Sequence, residues 1–182
     1  VALRQTNVKR LLAYSSIAHV GYLLMGLLLL TRAGLAAILF YLFVYALMNL
    51  GAFLFVVALN NRLRSEEIAD YAGLGFRAPW AAIMMTVFLF SLTGLPPTAG
   101  FIGKMYLFAE VINRQYFWLA VVGVLNSVVS LFYYMKIAKA MWFAGDEANR
   151  RGALRLEPLH VAVLALLAVP TVALGLTWSY FK

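Results

Sequence analysis

FLFSLTGLPPTAGFIGKMYLFAEVI, residues 88–112, is apolar enough to lie in a membrane, yet it carries two consecutive prolines and a lysine. Neither Pro96 nor Pro97 can donate a backbone hydrogen bond, so a helix entering this stretch stops at its middle. In lipid, an unwound backbone survives only where protein or water surrounds it. Broken helices of this kind build ion and substrate sites near the membrane midplane. Lys104 lies seven residues beyond the second proline and about 12 Å along the helix axis from Ile112. A lysine at that depth is costly unless it is neutral, paired or hydrated. An amine in such a place can release and regain a proton when a nearby charge moves, which is the basis of a proton relay. The bland alternatives are that Lys104 snorkels to the interface or bonds a carbonyl freed at the break. The coincidence of lysine and break favours the relay.

Outward from this stretch the whole chain is apolar. Of 182 residues, 64% are hydrophobic and 12% charged, and the mean hydropathy is +0.87; a soluble domain carries roughly a quarter charged residues. Five apolar runs stand out: Leu11–Leu30, Leu35–Leu59, Trp80–Ile112 with its break, Phe117–Phe143 and Leu159–Phe181. Each is expected to be helical, because an open sheet cannot satisfy its backbone in lipid. The expectation is an all-α integral membrane fold, one transmembrane domain over residues 1–182 with about five spans. Each half of the broken run is roughly 22 Å of helix, against a hydrocarbon core of about 30 Å, so the two halves make one crossing.

The loop charges agree with that count. The basic residues alternate as three (Arg4, Lys9, Arg10), one (Arg32), three (Arg62, Arg64, Arg77), one (Arg114), three (Arg150, Arg151, Arg155) and one (Lys182). By the positive-inside rule the N-terminus of these residues is cytoplasmic and the C-terminus outside. Trp80, Trp118, Trp142 and Trp178 mark span ends, where an amphipathic ring prefers the headgroup level. In the long loop before Trp80, Ser65 is placed to cap a short surface helix with Glu66 and Glu67 in its first turn and Gly73 at its end. The first ten residues read as a basic loop, and an upstream half is expected to precede them.

Polar residues form helical stripes in three other spans. Ser15, His19 and Tyr22 share a face of the first, Tyr41, Tyr45 and Asn49 of the second, and Asn126, Ser130 and Tyr134 of the fourth, with Ser127 beside them. Such stripes either glue helices together or line a hydrated path; three of them beside a buried lysine favour a polar axis. His19 is the next titratable candidate, since imidazole titrates near neutrality. Lys136, about 10 Å from its span end, is a candidate link to the cytoplasmic side. Lys139 is placed to snorkel. Glu110 is either an exit group or the i, i+4 partner of Arg114. The fifth span carries only Pro170 among special residues and reads as a lipid-facing wall.

The net charge of +8 reflects lysines and arginines at span ends and does not call for a nucleic-acid partner. Without cysteine there is no disulfide, thiolate zinc site or cysteine-held iron–sulfur cluster. His19 and His160 are too far apart in sequence to suggest a metal site, and no phosphate loop or nucleophile–base set occurs.

The runs QTNVKRLLAYSSIAHVGYLL (5–24), FYLFVYALMNLGAFLFV (40–56) and SLTGLPPTAGFIGKMYLF (91–108) resemble the antiporter-like subunits of respiratory complex I. The resemblance covers essentially the whole chain. It implies a fold of about fourteen helices with two inverted repeats, of which this chain resembles the second repeat with the last helix. It also implies a proton-pumping module in a bacterial-type inner membrane, with no redox centre of its own. NADH, FMN, iron–sulfur clusters and quinone then belong to other subunits, and the partners are antiporter-like and small membrane subunits and the bilayer. Lys104 falls on the family's key ionisable position. L- and M-type relatives carry a histidine and a lysine where this sequence has Tyr45 and Asn49, which points to the N-type branch. A subunit of a multi-subunit cation/proton antiporter or membrane-bound hydrogenase, and a structural scaffold fragment, are the other readings.

Overall fold

The computed structural model describes residues 1–145 and 152–177. Among the described residues, seven helices follow a short turn at Ala2–Arg4: α1 Val8–Leu27, α2 Arg32–Leu63, α3 Leu74–Arg77, α4 Pro79–Thr93, α5 Ala99–Asn113, α6 Phe117–Phe143 and α7 Pro158–Leu176. The fold is all-α, and α2, α6 and α7 are long and apolar enough to cross a membrane. The sequence-based expectations for Arg150, Arg151, Trp178, Lys182 and the end of the fifth span lie outside the described residues.

Polar caps explain why two helices begin earlier than their apolar runs. The Asn7 side chain accepts from the Arg10 amide at 2.9 Å, so α1 starts at Val8 and not Leu11. The Thr31 hydroxyl does the same for Gly34, so α2 starts at Arg32. α2 also runs on to Leu63 and ends in a left-handed Arg64 (φ 53°). Its 32 residues make about 48 Å of helix, longer than a hydrocarbon core.

The apolar run from Trp80 to Ile112 is two helices. α4 has Pro79 in its first turn, where a missing N–H costs nothing. It ends at Gly94, whose φ of 87° lies in the left-handed region that favours glycine. A cis Pro96–Pro97 bond lies in the link to α5. Thr86 of α4 accepts from the Trp142 indole near the end of α6, while Glu110 of α5 lines a cavity with Ala33 at the start of α2. Together, α4 and α5 therefore run from one end of the bundle to the other.

Close backbone contacts hold the break. A Cβ on Gly100 would fall on the Ser91 carbonyl, and one on Gly175 of α7 would fall on the Pro97 carbonyl. The fifth span is thus more than a lipid-facing wall. It packs against α2, α4 and α5 and buries Leu164, Ala168 and Thr171, while Leu166, Val169 and Leu176 stay exposed. With so few polar residues, one small-residue face was free to seal the break.

The loop after α2 also departs from expectation. Glu66 and Glu67 lie outside a first helical turn. The Val8 amide bonds the Glu66 carbonyl at 2.8 Å, the Ile68 amide bonds Thr6 at 2.8 Å, and Asn7 and Glu67 form an isolated antiparallel bridge. The Glu66 carboxylate pairs with Lys9 at 3.3 Å. Ser65 accepts from the Glu67 amide at 3.2 Å and donates to Asp70, but it does not cap the 3-10 turn over Ile68–Tyr71, whose N-cap position is Glu67. Gly73 (φ 70°) does not end a helix; it begins α3. Burial of Ile68, Tyr71 and Leu74 pulls this loop onto the bundle.

Candidate functional site

In an uninterrupted helix the Leu92 carbonyl would accept from residue 96 and the Thr93 carbonyl from residue 97. Both of those residues are prolines without an N–H. The neighbouring carbonyls are served locally, since the Gly94 amide bonds Phe90 and Ser91 and the Leu95 amide bonds Phe90. The two left over are taken by Lys104, whose Nζ donates to Leu92 O at 3.1 Å and Thr93 O at 2.7 Å. The residue is only 4% exposed. Its ammonium also lies 4.8 Å from the centre of the Tyr22 ring, a cation–π contact. Carbonyl oxygens, ring and the C-terminal dipole of α4 favour the charged amine, and loss of water opposes it.

The third Lys104 donor reaches the Ser127 hydroxyl at 3.3 Å. Ser127 is 2.8 Å from the Tyr22 hydroxyl, which takes a bond from the Asn126 amide at 3.2 Å and donates to the Gly123 carbonyl at 3.3 Å. With the Tyr22 proton on Gly123, Ser127 donates to Tyr22. A continuous bonded chain then runs Lys104–Ser127–Tyr22.

A second cluster centres on His19. Its Nδ1 is 2.7 Å from the Tyr41 hydroxyl and its Nε2 is 3.0 Å from the Tyr134 hydroxyl. Tyr45 stacks on the imidazole with ring centres 4.8 Å apart. Ser15 and Ser130, both buried, turn their hydroxyls to carbonyls of their own helices, Leu12 and Ser127, at 2.6 Å each. The clusters meet where Tyr22 lies edge-on to His19, ring centres 6.0 Å apart, and to Tyr41 at 6.2 Å. One turn beyond Tyr45, the buried Asn49 amide oxygen has no hydrogen-bond partner among the described residues.

The other two ionisable candidates lie elsewhere. Lys136 is exposed and donates to the Gln5 carbonyl at 2.9 Å. Glu110 is half-buried, lining an apolar cavity of about 530 Å³ with Ala33, Ala37, Phe40 and Leu174. Among the described residues it forms no ion pair with Arg114, because Arg114 leaves the helix at its C-cap. In the sequence Ser127 is only a neighbour of the α6 stripe. No signal in the sequence separates it from its neighbour Asn126; only helix packing brings Ser127 to Lys104.

Residues 1–130 match the sequence profile of the family described as NADH:quinone oxidoreductase/Mrp antiporter, TM. The chain belongs to that family. Among relatives of this antiporter-type family, it is 51% identical over 182 residues to NADH-quinone oxidoreductase subunit N 2 of Sorangium cellulosum (strain So ce56), an alignment covering 98% of this chain and 36% of that one. It superposes on a chain of respiratory complex I from Thermus thermophilus with bound aureothin, with a TM-score of 0.82 and 33% identity. That match covers 98% of this chain and 40% of the other. A chain of the membrane-bound sulfane sulfur reductase, an archaeal respiratory membrane complex, gives a TM-score of 0.88 and 29% identity over 99% of this chain and 36% of that chain. The chain spans about a third of the length of the curated relatives it matches. As a member of this family it is a multi-pass membrane protein.

Proposed function

We propose that these residues form a proton-conducting half of an N-type membrane subunit of NADH–quinone oxidoreductase, in which Lys104 holds and passes on a proton. What supports the reading above all is the anchoring of the Lys104 amine: it serves the two carbonyls orphaned by Pro96 and Pro97 and at the same time touches Ser127. A proton leaving Nζ has a hydroxyl to enter: Ser127 hands its own proton to Tyr22 as it accepts, and Tyr22 must in the same step turn its hydroxyl proton away from the Gly123 carbonyl and release it onward. Between the Tyr22 and His19 clusters the step requires water or a tyrosine rotation, because only ring contacts join them. Neutral imidazole donates from one nitrogen and accepts at the other, so His19 can take a proton from one tyrosine side and release it to the other.

In this reading the basic end of the bundle, with Arg4, Lys9, Arg10 and Arg77, faces the cytoplasm. Quinone reduction by other subunits drives the charge movement, and the partners are neighbouring antiporter-like and small membrane subunits. The test is Lys104→Gln in the full-length subunit within its complex, assayed in membrane vesicles for NADH oxidation and proton uptake together. Assembly and uncoupled NADH oxidation persist, while protons moved per NADH fall. Unchanged proton uptake with normal assembly sinks the relay; loss of assembly with Gln favours a scaffold.

A further inference from the structure

We propose that the groove between α4 and α6, at the end of the bundle carrying the N-terminal turn, holds the headgroup of an anionic phospholipid, with Lys136 and Lys139 as its phosphate ligands. The groove encloses about 850 Å³ and is walled by Phe90, Leu131, Phe132 and Met135. Leu3 of the N-terminal turn also lines it. Trp142 is a further wall, and its indole N–H is already committed to Thr86 at 2.9 Å. No acidic residue lines the groove among the described residues.

The two lysines are three residues apart on one helix and both are exposed, so their stems lie side by side. Lys136 gives one N–H to the Gln5 carbonyl and keeps two. The Lys139 ammonium has no partner among the described residues. They sit about 10 and 6 Å from the end of α6, a depth from which a long apolar stem carries its ammonium up to the headgroup level. Phe132 of the lining and, one turn earlier on α6, the exposed Val128 and Val129 give an apolar surface suited to acyl chains. Paired ammonium groups above an apolar channel, with no carboxylate in the lining among the described residues, match a negatively charged headgroup and disfavour a zwitterionic one carrying its own cation. Neither lysine contacts the Lys104 or His19 clusters, so this site stands whether or not those groups move protons.

The experiment uses the full-length subunit in its complex, in lipid nanodiscs doped with photoactivatable phosphatidylglycerol or its phosphatidylcholine counterpart. Cross-links are mapped by peptide mass spectrometry. The glycerol probe is expected to label residues 131–143 in preference to the choline probe. Lys136→Gln with Lys139→Gln should lower that preference by about thirty-fold, the combined effect of two interfacial lysines. Lys136→Arg with Lys139→Arg should retain it, which separates loss of charge from loss of fold. Equal labelling by both probes overturns the proposal, and so does an absence of lipid labelling because another protein segment covers the groove.

Discussion

The ammonium nitrogen of Lys104 lies 2.7 Å from the Thr93 carbonyl oxygen, the oxygen whose helical partner would have been the missing N–H of Pro97. Proline and lysine are thus two parts of one device. The proline frees an acceptor in the middle of the bundle, and the lysine both satisfies it and is held there by it.

That pairing separates two variants at Lys104. Alanine leaves the Leu92 and Thr93 carbonyls buried without a donor, at about 1–3 kcal/mol each. Glutamine brings an amide with two N–H donors and no titratable proton. Thermal unfolding of the detergent-solubilised full-length protein is expected to show Lys104→Ala destabilised by about 2 kcal/mol or more, with Lys104→Gln much closer to wild type. Equal melting temperatures for the two would mean that the carbonyls find other donors, and the structural half of the device would fall.

Ser127→Ala tests the other half. It removes the hydroxyl between Lys104 and Tyr22 while leaving both carbonyl bonds in place. The stability change should stay near that of one hydrogen bond, about 0.5–1.5 kcal/mol. The rate of proton transfer through this subunit should drop about tenfold if the step through Ser127 loses about 1.4 kcal/mol of barrier lowering, read as slower proton uptake in the vesicles. Wild-type uptake would show that the proton leaves Lys104 by another route.

Much of the bundle was legible because lipid leaves the backbone so few choices. The five apolar runs and the Pro96–Pro97 break already define an all-α bundle, and the run Phe117–Phe143 coincides with α6. Helix starts were less so, because the Asn7 and Thr31 caps extend α1 and α2 beyond their apolar cores. The polar stripes give direction on each helix but not rotation between helices. Asn126 and Ser127 are adjacent, and only packing decides that Ser127 meets the lysine. Lys136 could not be placed from α6 alone, since its partner is a carbonyl of the N-terminal turn. The role of α7 was hidden for the same reason. Leu164, Ala168, Thr171 and Gly175 share one face of α7, but nothing in the sequence says that this face meets the Pro97 carbonyl.

Gly175 makes that role of α7 measurable. A methyl group there would fall on the Pro97 carbonyl, a backbone atom that cannot swing aside. Gly175→Ala should therefore cost about 1–3 kcal/mol, the usual range for overpacking. Gly21 of α1 is the control, because a Cβ there meets nothing within 4 Å. Gly21→Ala should be neutral or stabilising by up to about 1 kcal/mol through its higher helix propensity. Similar melting temperatures for the two alanine variants would show that α7 does not clamp the break.

Tyr71 offers a prediction of the opposite sign. Its ring is buried beside Phe55, with ring centres 6.1 Å apart, and its hydroxyl has no hydrogen-bond partner among the described residues. Burial, with a smaller contribution from the nearby Glu66 charge, pushes the pKa of that hydroxyl up. The group therefore stays neutral and brings only the cost of being removed from water. Deleting an unpaired buried hydroxyl relieves that cost, whereas Tyr→Phe at a bonded site loses about 1 kcal/mol. Tyr71→Phe is accordingly expected to leave the melting temperature of the full-length protein unchanged or slightly raised. Tyr71→Ala should lower stability by about 3–5 kcal/mol through the cavity left under the loop. A clear loss with phenylalanine would place a bound water or a partner group at the hydroxyl, and the loop would then be held to the bundle by a polar contact in addition to its apolar ones.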